Sequence, residues 1–133
     1  MSTVEVSPSK ASRITGRVIS TLVVLFLLMD GGAKIAKVPE VLKACEELQI
    51  PESIIQGLGI TLVVCTLIYA IPPTSVLGAI LLTGYLGGAV ATHVRMVGGP
   101  VFPIVFSSLF GVLTWLGLFL RDSRLRLLIP FRR

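Results

Sequence analysis

The chain has 133 residues, of which 53% are hydrophobic and only 14% are charged. Soluble domains carry about a quarter charged residues. Together with a mean hydropathy of +0.91, this composition excludes a soluble enzyme domain and indicates a membrane protein. The length allows a single domain. One His and two widely separated Cys provide neither a metal site nor a disulfide framework.

Three segments are long and apolar enough to cross a bilayer, which takes about 20 residues per helix. They are residues 54–71, 76–94 and 101–120. The pair Pro72-Pro73 ends the first of them. Because the connections between the three segments are short, we expect three spanning helices that are antiparallel neighbours.

The first apolar run is shorter, since residues 18–29 alone have the length of a signal-peptide core. Basic residues precede it, but residues 31–33 (GGA) make only a weak cleavage site. Continuing the helix through Asp30 gives a normal span over residues 18–35. We favour an uncleaved first spanning helix over a cleaved signal peptide.

The only long connection, residues 36–53, has its own periodicity. Pro39 fits a first helical position, and Leu42, Cys45 and Leu48 recur at helical spacing among charged residues. This pattern predicts a short amphipathic helix on the membrane surface. The fold class that we expect is therefore an all-α integral membrane protein, a bundle of four spanning helices with one surface helix between the first two.

The basic residues are concentrated at the two ends of the chain. Eight of the twelve lie in residues 1–17 or 121–133, whereas the other side of the bundle holds four, mixed with five acids. By the positive-inside rule both termini are predicted to be cytoplasmic. The tail 121–133 is then a topology anchor that contacts anionic lipid headgroups, and we expect no nucleic acid as a partner.

Inserting a charged residue at the centre of a spanning helix costs about 2.5–3.5 kcal/mol of free energy. The presence of Asp30 and Lys34 in the first span therefore requires an explanation. They are four residues apart, share one helical face and can neutralise each other. One interpretation is the charged wall of an outward-facing pocket or a proton-exchange site. The other is a self-paired couple at the membrane edge, with Lys34 extended towards water.

His93 and Arg95 close the third spanning helix on the same side as Lys34, and Tyr85 lies two turns before His93. With Asp30 they could form a polar cluster at the outer mouth of the bundle, where His93 exchanges protons with a ligand. Alternatively, Arg95 and His93 are only interfacial anchors.

Small and polar residues on the last two helices have a simpler interpretation. Gly84, Gly88 and Thr92 are spaced four apart, which favours close helix packing within the bundle over a homodimer face. Thr83, Ser107 and Ser108 are expected to hydrogen-bond between helices. Trp115 is interpreted as an aromatic-belt anchor, with stacking on a ligand as the alternative.

The third and fourth helices resemble those of the DoxX-like family. The matching features are residues 78–89 (GAILLTGYLGGA), 92–95 (THVR), 115–118 (WLGL) and 120–122 (LRD), with Asp30-Gly31, Lys34 and Pro72-Pro73. The resemblance covers about residues 17–130. It implies a small four-helix protein of the bacterial inner membrane, in a family named after a subunit of an archaeal thiosulfate:quinone oxidoreductase. By analogy it suggests a quinone or lipid-like ligand, or a partner protein.

Three functions remain open. The first, which we favour, is a membrane subunit or binding module whose pocket, lined by Asp30, Lys34, Tyr85, His93 and Arg95, holds a quinone or another apolar molecule. The second is a structural or assembly protein that docks on a larger membrane complex or on a second copy of itself. The third is a membrane enzyme that uses His93 or Asp30 as acid or base. The chain itself offers no evident holder for a cofactor, so at most an accessory role in an oxidoreductase is expected.

Overall fold

A computed structural model describes residues 9–96, 98–122 and 125. Within these residues the chain is helical, with no strand. The helices are α1 (Lys10–Ile35), α2 (Pro39–Glu47), α3 (Glu52–Ala70), α4 (Ser75–Val94) and α5 (Phe102–Arg121), and a short 3₁₀ turn, Pro72–Thr74, precedes α4. Apart from residues 121, 122 and 125, the predicted basic tail 121–133 lies outside the described residues.

Four of the helices, all but α2, are long and apolar enough to cross a membrane. The predicted fold class is thereby confirmed. Large apolar side chains remain exposed on the outside of the bundle, among them Met29 at 64% and Phe102 at 72%. Such an apolar exterior is the surface that lipid tails contact, because the bilayer is as apolar as the core.

The spanning helices form a ring. Helix α1 packs against α3 and α5, and α4 packs against the same two, so that α1 and α4 stand diagonally, with no close approach between the backbones of their described residues. Buried side chains from all four, including Val23, Leu62, Leu82 and Leu118, fill the centre. We call the end with the start of α1 and the end of α5 the terminal end, and the opposite one the linker end.

Helix α1 begins eight residues before the predicted span, at Lys10. The reason is a cap: the Ser9 hydroxyl accepts a hydrogen bond of 3.1 Å from the Ser12 backbone N–H. The extra two turns carry the basic residues that precede the apolar run.

The linker contains the amphipathic helix α2, which starts at Pro39 and buries Cys45. Helices α1 and α2 both end in a Schellman motif. Lys37 and Gln49, with φ of 53° and 59°, take the left-handed position where glycine is usual. Behind them, the Val38 and Ile50 N–H groups bond to carbonyls in the last turn.

Close helix packing is made by glycines of α1, α3 and α5, of which Gly59 and Gly117 were expected from the sequence to serve this purpose. A Cβ on Gly59 of α3 would lie 2.6 Å from the Gly31 carbonyl oxygen of α1, and a Cβ on Gly16 would lie 2.7 Å from that of Gly117 on α5. Gly84 and Gly88, by contrast, are exposed and have nothing within 4 Å. The expectation that they pack within the bundle is wrong, because their face of α4 points away from α3 and α5. Thr92 bonds only to the carbonyl of its own helix at Gly88.

Candidate functional site

Asp30 and Lys34 form an ion pair at the linker end of α1. Lys34 Nζ donates to Asp30 Oδ2 over 2.5 Å, and the side chains are 17% and 39% exposed, respectively. Lys34 is the more buried partner because its Cβ lies over Gly59, at the close approach of α1 to α3. The two charges therefore neutralise each other on one helical face.

Two further groups lie within electrostatic range of this pair. The negative charge of Asp30 is close enough to the half-buried Tyr85 hydroxyl of α4 to influence it electrostatically. The same charge influences the thiol of Cys45 in α2. Burial raises the pKa of the Cys45 thiol, Lys34 opposes that rise and Asp30 adds to it. Because the thiol is held protonated, Cys45 is suited to packing rather than to redox chemistry.

His93 and Arg95 are not bonded to these groups. His93 Nδ1 lies 2.8 Å from the Ala89 carbonyl oxygen, one turn back in α4, and this contact makes Nδ1 the protonated nitrogen. Arg95 is exposed just beyond the end of α4. The structure pairs Asp30 with Lys34 and places Tyr85 within electrostatic range of Asp30, and among the described residues it shows no hydrogen bond or ion pair from His93 or Arg95 to them.

A groove lies elsewhere, between α4 and α5. This groove has a volume of about 680 Å³ and is open along one side. Its lining, almost entirely apolar, comes from one face of each helix and includes Thr83, Gly87 and Val90 of α4 with Ser107, Gly111 and Trp115 of α5. None of the five residues predicted to line a pocket belongs to it.

A hydrogen-bonded pair fixes one end of the groove. Trp115 Nε1 donates to Thr83 Oγ1 over 2.7 Å, and that hydroxyl donates onward to the Ala79 carbonyl oxygen, also over 2.7 Å. The indole is therefore held by a hydrogen bond to α4. Its ring supplies a flat apolar wall.

Ser107 lies two turns before Trp115 on the same face of α5 and contributes a hydroxyl group to the groove. Its hydroxyl makes no hydrogen bond to any residue that the structure describes, whereas neighbouring Ser108 donates to the Ile104 carbonyl oxygen over 2.8 Å. A polar group at a largely apolar surface needs a partner. Gly111, between Ser107 and Trp115, keeps the groove deep, since only Leu86 approaches a Cβ built there, at 4.0 Å.

Sequence reasoning missed this groove as a site, although it expected hydrogen bonds between helices from Thr83. The available signal was paired: small or polar residues recur at helical spacing on both α4 (Thr83, Gly87) and α5 (Ser107, Gly111). Two such faces on adjacent antiparallel helices leave a furrow between them.

Comparison with models of known protein families supports the resemblance to the DoxX-like family. The model of the DoxX-like family matches residues 18–117, from the apolar part of α1 through most of α5. Comparisons with curated proteins and with solved structures found no match. The matched region includes the ion pair and every lining residue of the groove except Phe119. The chain therefore belongs to the DoxX-like family of membrane proteins.

Proposed function

We propose that this DoxX-like protein is a membrane-embedded binding module for a quinone or a similar ring-headed lipid, which it holds in the groove between α4 and α5. The observation that carries the proposal is the groove itself. Its volume of about 680 Å³ lies within the roughly 300–1,000 Å³ of small-molecule sites, which are mostly apolar with a few placed polar groups.

The lining suits such a molecule. The Trp115 ring, held by Thr83, offers a surface for a flat headgroup, and the Ser107 hydroxyl, which has no partner among the described residues, can donate to a carbonyl oxygen. Val112 and Leu116, exposed at the open side, are in contact with the bilayer. A ligand dissolved in the membrane therefore enters sideways, without passing through water.

The test is to purify the protein in mild detergent, extract it with solvent and measure co-purified quinones and lipids by mass spectrometry. Gly111→Leu fills the groove, and Ser107→Ala removes the free donor. Gly57→Leu is the matched control, because Gly57 is an exposed glycine of α3 with open space around it. We expect a stoichiometric ring-headed lipid in the wild type and in Gly57→Leu, and its loss in Gly111→Leu.

The same preparation tests the polar cluster predicted from sequence. If the groove is the site, Asp30→Asn and His93→Ala retain the ligand. Loss in these two variants, with retention in Gly111→Leu, would move the site to the linker end. Bulk membrane lipid unchanged in every variant would contradict a binding module.

A second function, assembly with another membrane protein or a second copy, is supported by one separate observation. Gly84, Gly87 and Gly88 give α4 an exposed face with open space at each position, and such a face lets another helix approach closely. If assembly is the function, Gly88→Leu abolishes a co-purifying protein or a dimer in cross-linking, while the ligand content stays unchanged.

We also propose the location: the cytoplasmic membrane of a bacterium, with both termini on the cytoplasmic side. The support is the excess of basic residues at the terminal end, of which Lys10, Arg13 and Arg17 are exposed on the first turns of α1.

A further inference from the structure

A second cavity, of about 260 Å³, lies at the terminal end of the bundle, where α1, α3 and α5 meet. Its walls include Arg17, Ser20 and Thr21 of α1, Tyr69 of α3 and Arg121 of α5. It is separate from the groove and shares no lining residue with it. Two arginines among the residues that line one small cavity indicate an anion as the ligand.

Arg121 has more hydrogen-bond donors than the described residues satisfy. Its Nη2 lies 3.5 Å from Ser75 Oγ, a long contact, and its buried Nε has no hydrogen-bond partner among the described residues. The guanidinium carbon also lies 5.6 Å from the centre of the Tyr69 ring. Within the described part of the chain, no ion pair joins Arg121 or Arg17 to a carboxylate.

The hydroxyls behind the guanidinium groups are already engaged. Tyr69 donates to the Thr114 carbonyl oxygen over 2.7 Å, so the Ser20 hydroxyl, 3.0 Å away, is the donor to the Tyr69 oxygen. These bonds join α1, α3 and α5 into a fixed wall. The donors left for a ligand are those of Arg17 and Arg121, with the Thr21 hydroxyl beside them, which bonds to no described residue.

Polarity changes along the cavity. The α1 residues that line it fall on one helical face, and they run from Arg17 and Thr21 near the terminal end to Val24 and Leu25 deeper in the span. Leu25 is 59% exposed and is therefore open to lipid. A free phosphate ion uses only the polar part of this surface, whereas a phospholipid uses both.

We propose that this cavity is a binding site for the phosphate of an anionic phospholipid, held by Arg17 and Arg121 with an acyl chain lying along Val24 and Leu25. The bound lipid supplies the acceptors that Arg121 lacks. It also joins α1 to α5 at the end of the bundle where their backbones approach closely, at Gly16 and Gly117.

The test uses the full-length protein in a neutral detergent, with thermal unfolding followed during titration with phosphatidylglycerol, phosphatidylcholine or inorganic phosphate. Native mass spectrometry counts the retained lipids. We expect one retained phosphatidylglycerol and a saturable rise in melting temperature with that lipid alone. Equal protection by inorganic phosphate would overturn the lipid assignment, and equal protection by phosphatidylcholine would overturn the anionic one.

Charge-preserving variants separate a site from general attraction to anionic lipid. Arg17→Lys and Arg121→Lys keep the charge but lose the planar fork that binds phosphate through two hydrogen bonds. We expect each to weaken phosphatidylglycerol binding about tenfold. Arg13→Lys, an exposed arginine one turn away outside the cavity, is the control and should bind as the wild type does. Unchanged binding in Arg17→Lys and Arg121→Lys, or an equal loss of binding in Arg13→Lys, would overturn the proposal. Because Arg17 is exposed, Arg17→Lys still tests the site if Arg121→Lys folds poorly.

Discussion

Tyr69 is the residue on which three helices converge. It is fully buried, and its hydroxyl oxygen contacts Ser20 of α1 and the Thr114 carbonyl oxygen of α5. In a bilayer, polar groups that lose such a partner find no water to replace it. The hydroxyl therefore fixes α1 and α5 relative to α3.

Tyr69→Phe should lower the free energy of unfolding by about 1 kcal/mol, the size of a typical interhelical hydrogen bond. The control is Tyr85→Phe, because Tyr85 is half-buried and bonds to no described residue. It should change stability by less than half as much. Denaturation in mixed micelles measures both, and equal losses would show that the Tyr69 hydroxyl contributes nothing specific.

Asp30 and Lys34 should behave as a coupled pair. Asp30→Asn leaves the Lys34 ammonium, only 17% exposed, without its partner, and should destabilise the protein by about 1–3 kcal/mol. Adding Lys34→Gln should recover much of that loss. Thermal unfolding of the single and double variants measures the coupling. Strictly additive losses would mean that the pair does not stabilise the fold.

At the scale of single helices, the features that depend on hydropathy were predicted correctly from the sequence. The four spans and the amphipathic linker helix follow from apolar length and from the spacing of Leu42, Cys45 and Leu48. The sequence did not predict which face of each helix points into the bundle. Both the core and the lipid are apolar, so the face of α4 that carries Gly84 and Gly88 looks the same in sequence whether it is buried or exposed.

Substitutions at the contact between α1 and α3 test directly which faces of these two helices pack against each other. A Cβ on Gly59 would lie 2.6 Å from the Gly31 carbonyl oxygen, so Gly59→Ala should force the helices apart and cost about 1–3 kcal/mol. Gly57→Ala, two residues away in open space, should be neutral or stabilising by up to about 1 kcal/mol. Unfolding midpoints compare the two. A harmless Gly59→Ala would contradict the packing of α1 on α3.

At the scale of the whole molecule, the ring order of the helices decides which residues can form a site. Short connections predicted that α3, α4 and α5 are sequential neighbours, and α3 and α5 both pack against α4. They could not predict that α1 closes the ring between α3 and α5. This closure sets α1 diagonally across the ring from α4, the helix of His93, and leaves the open furrow between α4 and α5.

The orientation in the membrane is testable with single cysteines in a background lacking Cys45 and Cys65. Glu46→Cys lies at an exposed position of α2, and Ala11→Cys at an exposed position of the first turn of α1. A membrane-impermeant maleimide should label Glu46→Cys in intact cells and Ala11→Cys only after permeabilisation. The reverse pattern would place the termini outside.

The most direct measurement of quinone binding uses Trp115, the only Trp of the chain, whose indole lines the groove. A water-soluble short-chain quinone is titrated into the purified protein while tryptophan fluorescence is followed. We expect saturable quenching in the wild type and in Gly57→Leu, and only weak, linear quenching in Gly111→Leu. Linear quenching of equal slope in all three proteins would contradict a quinone site in the groove.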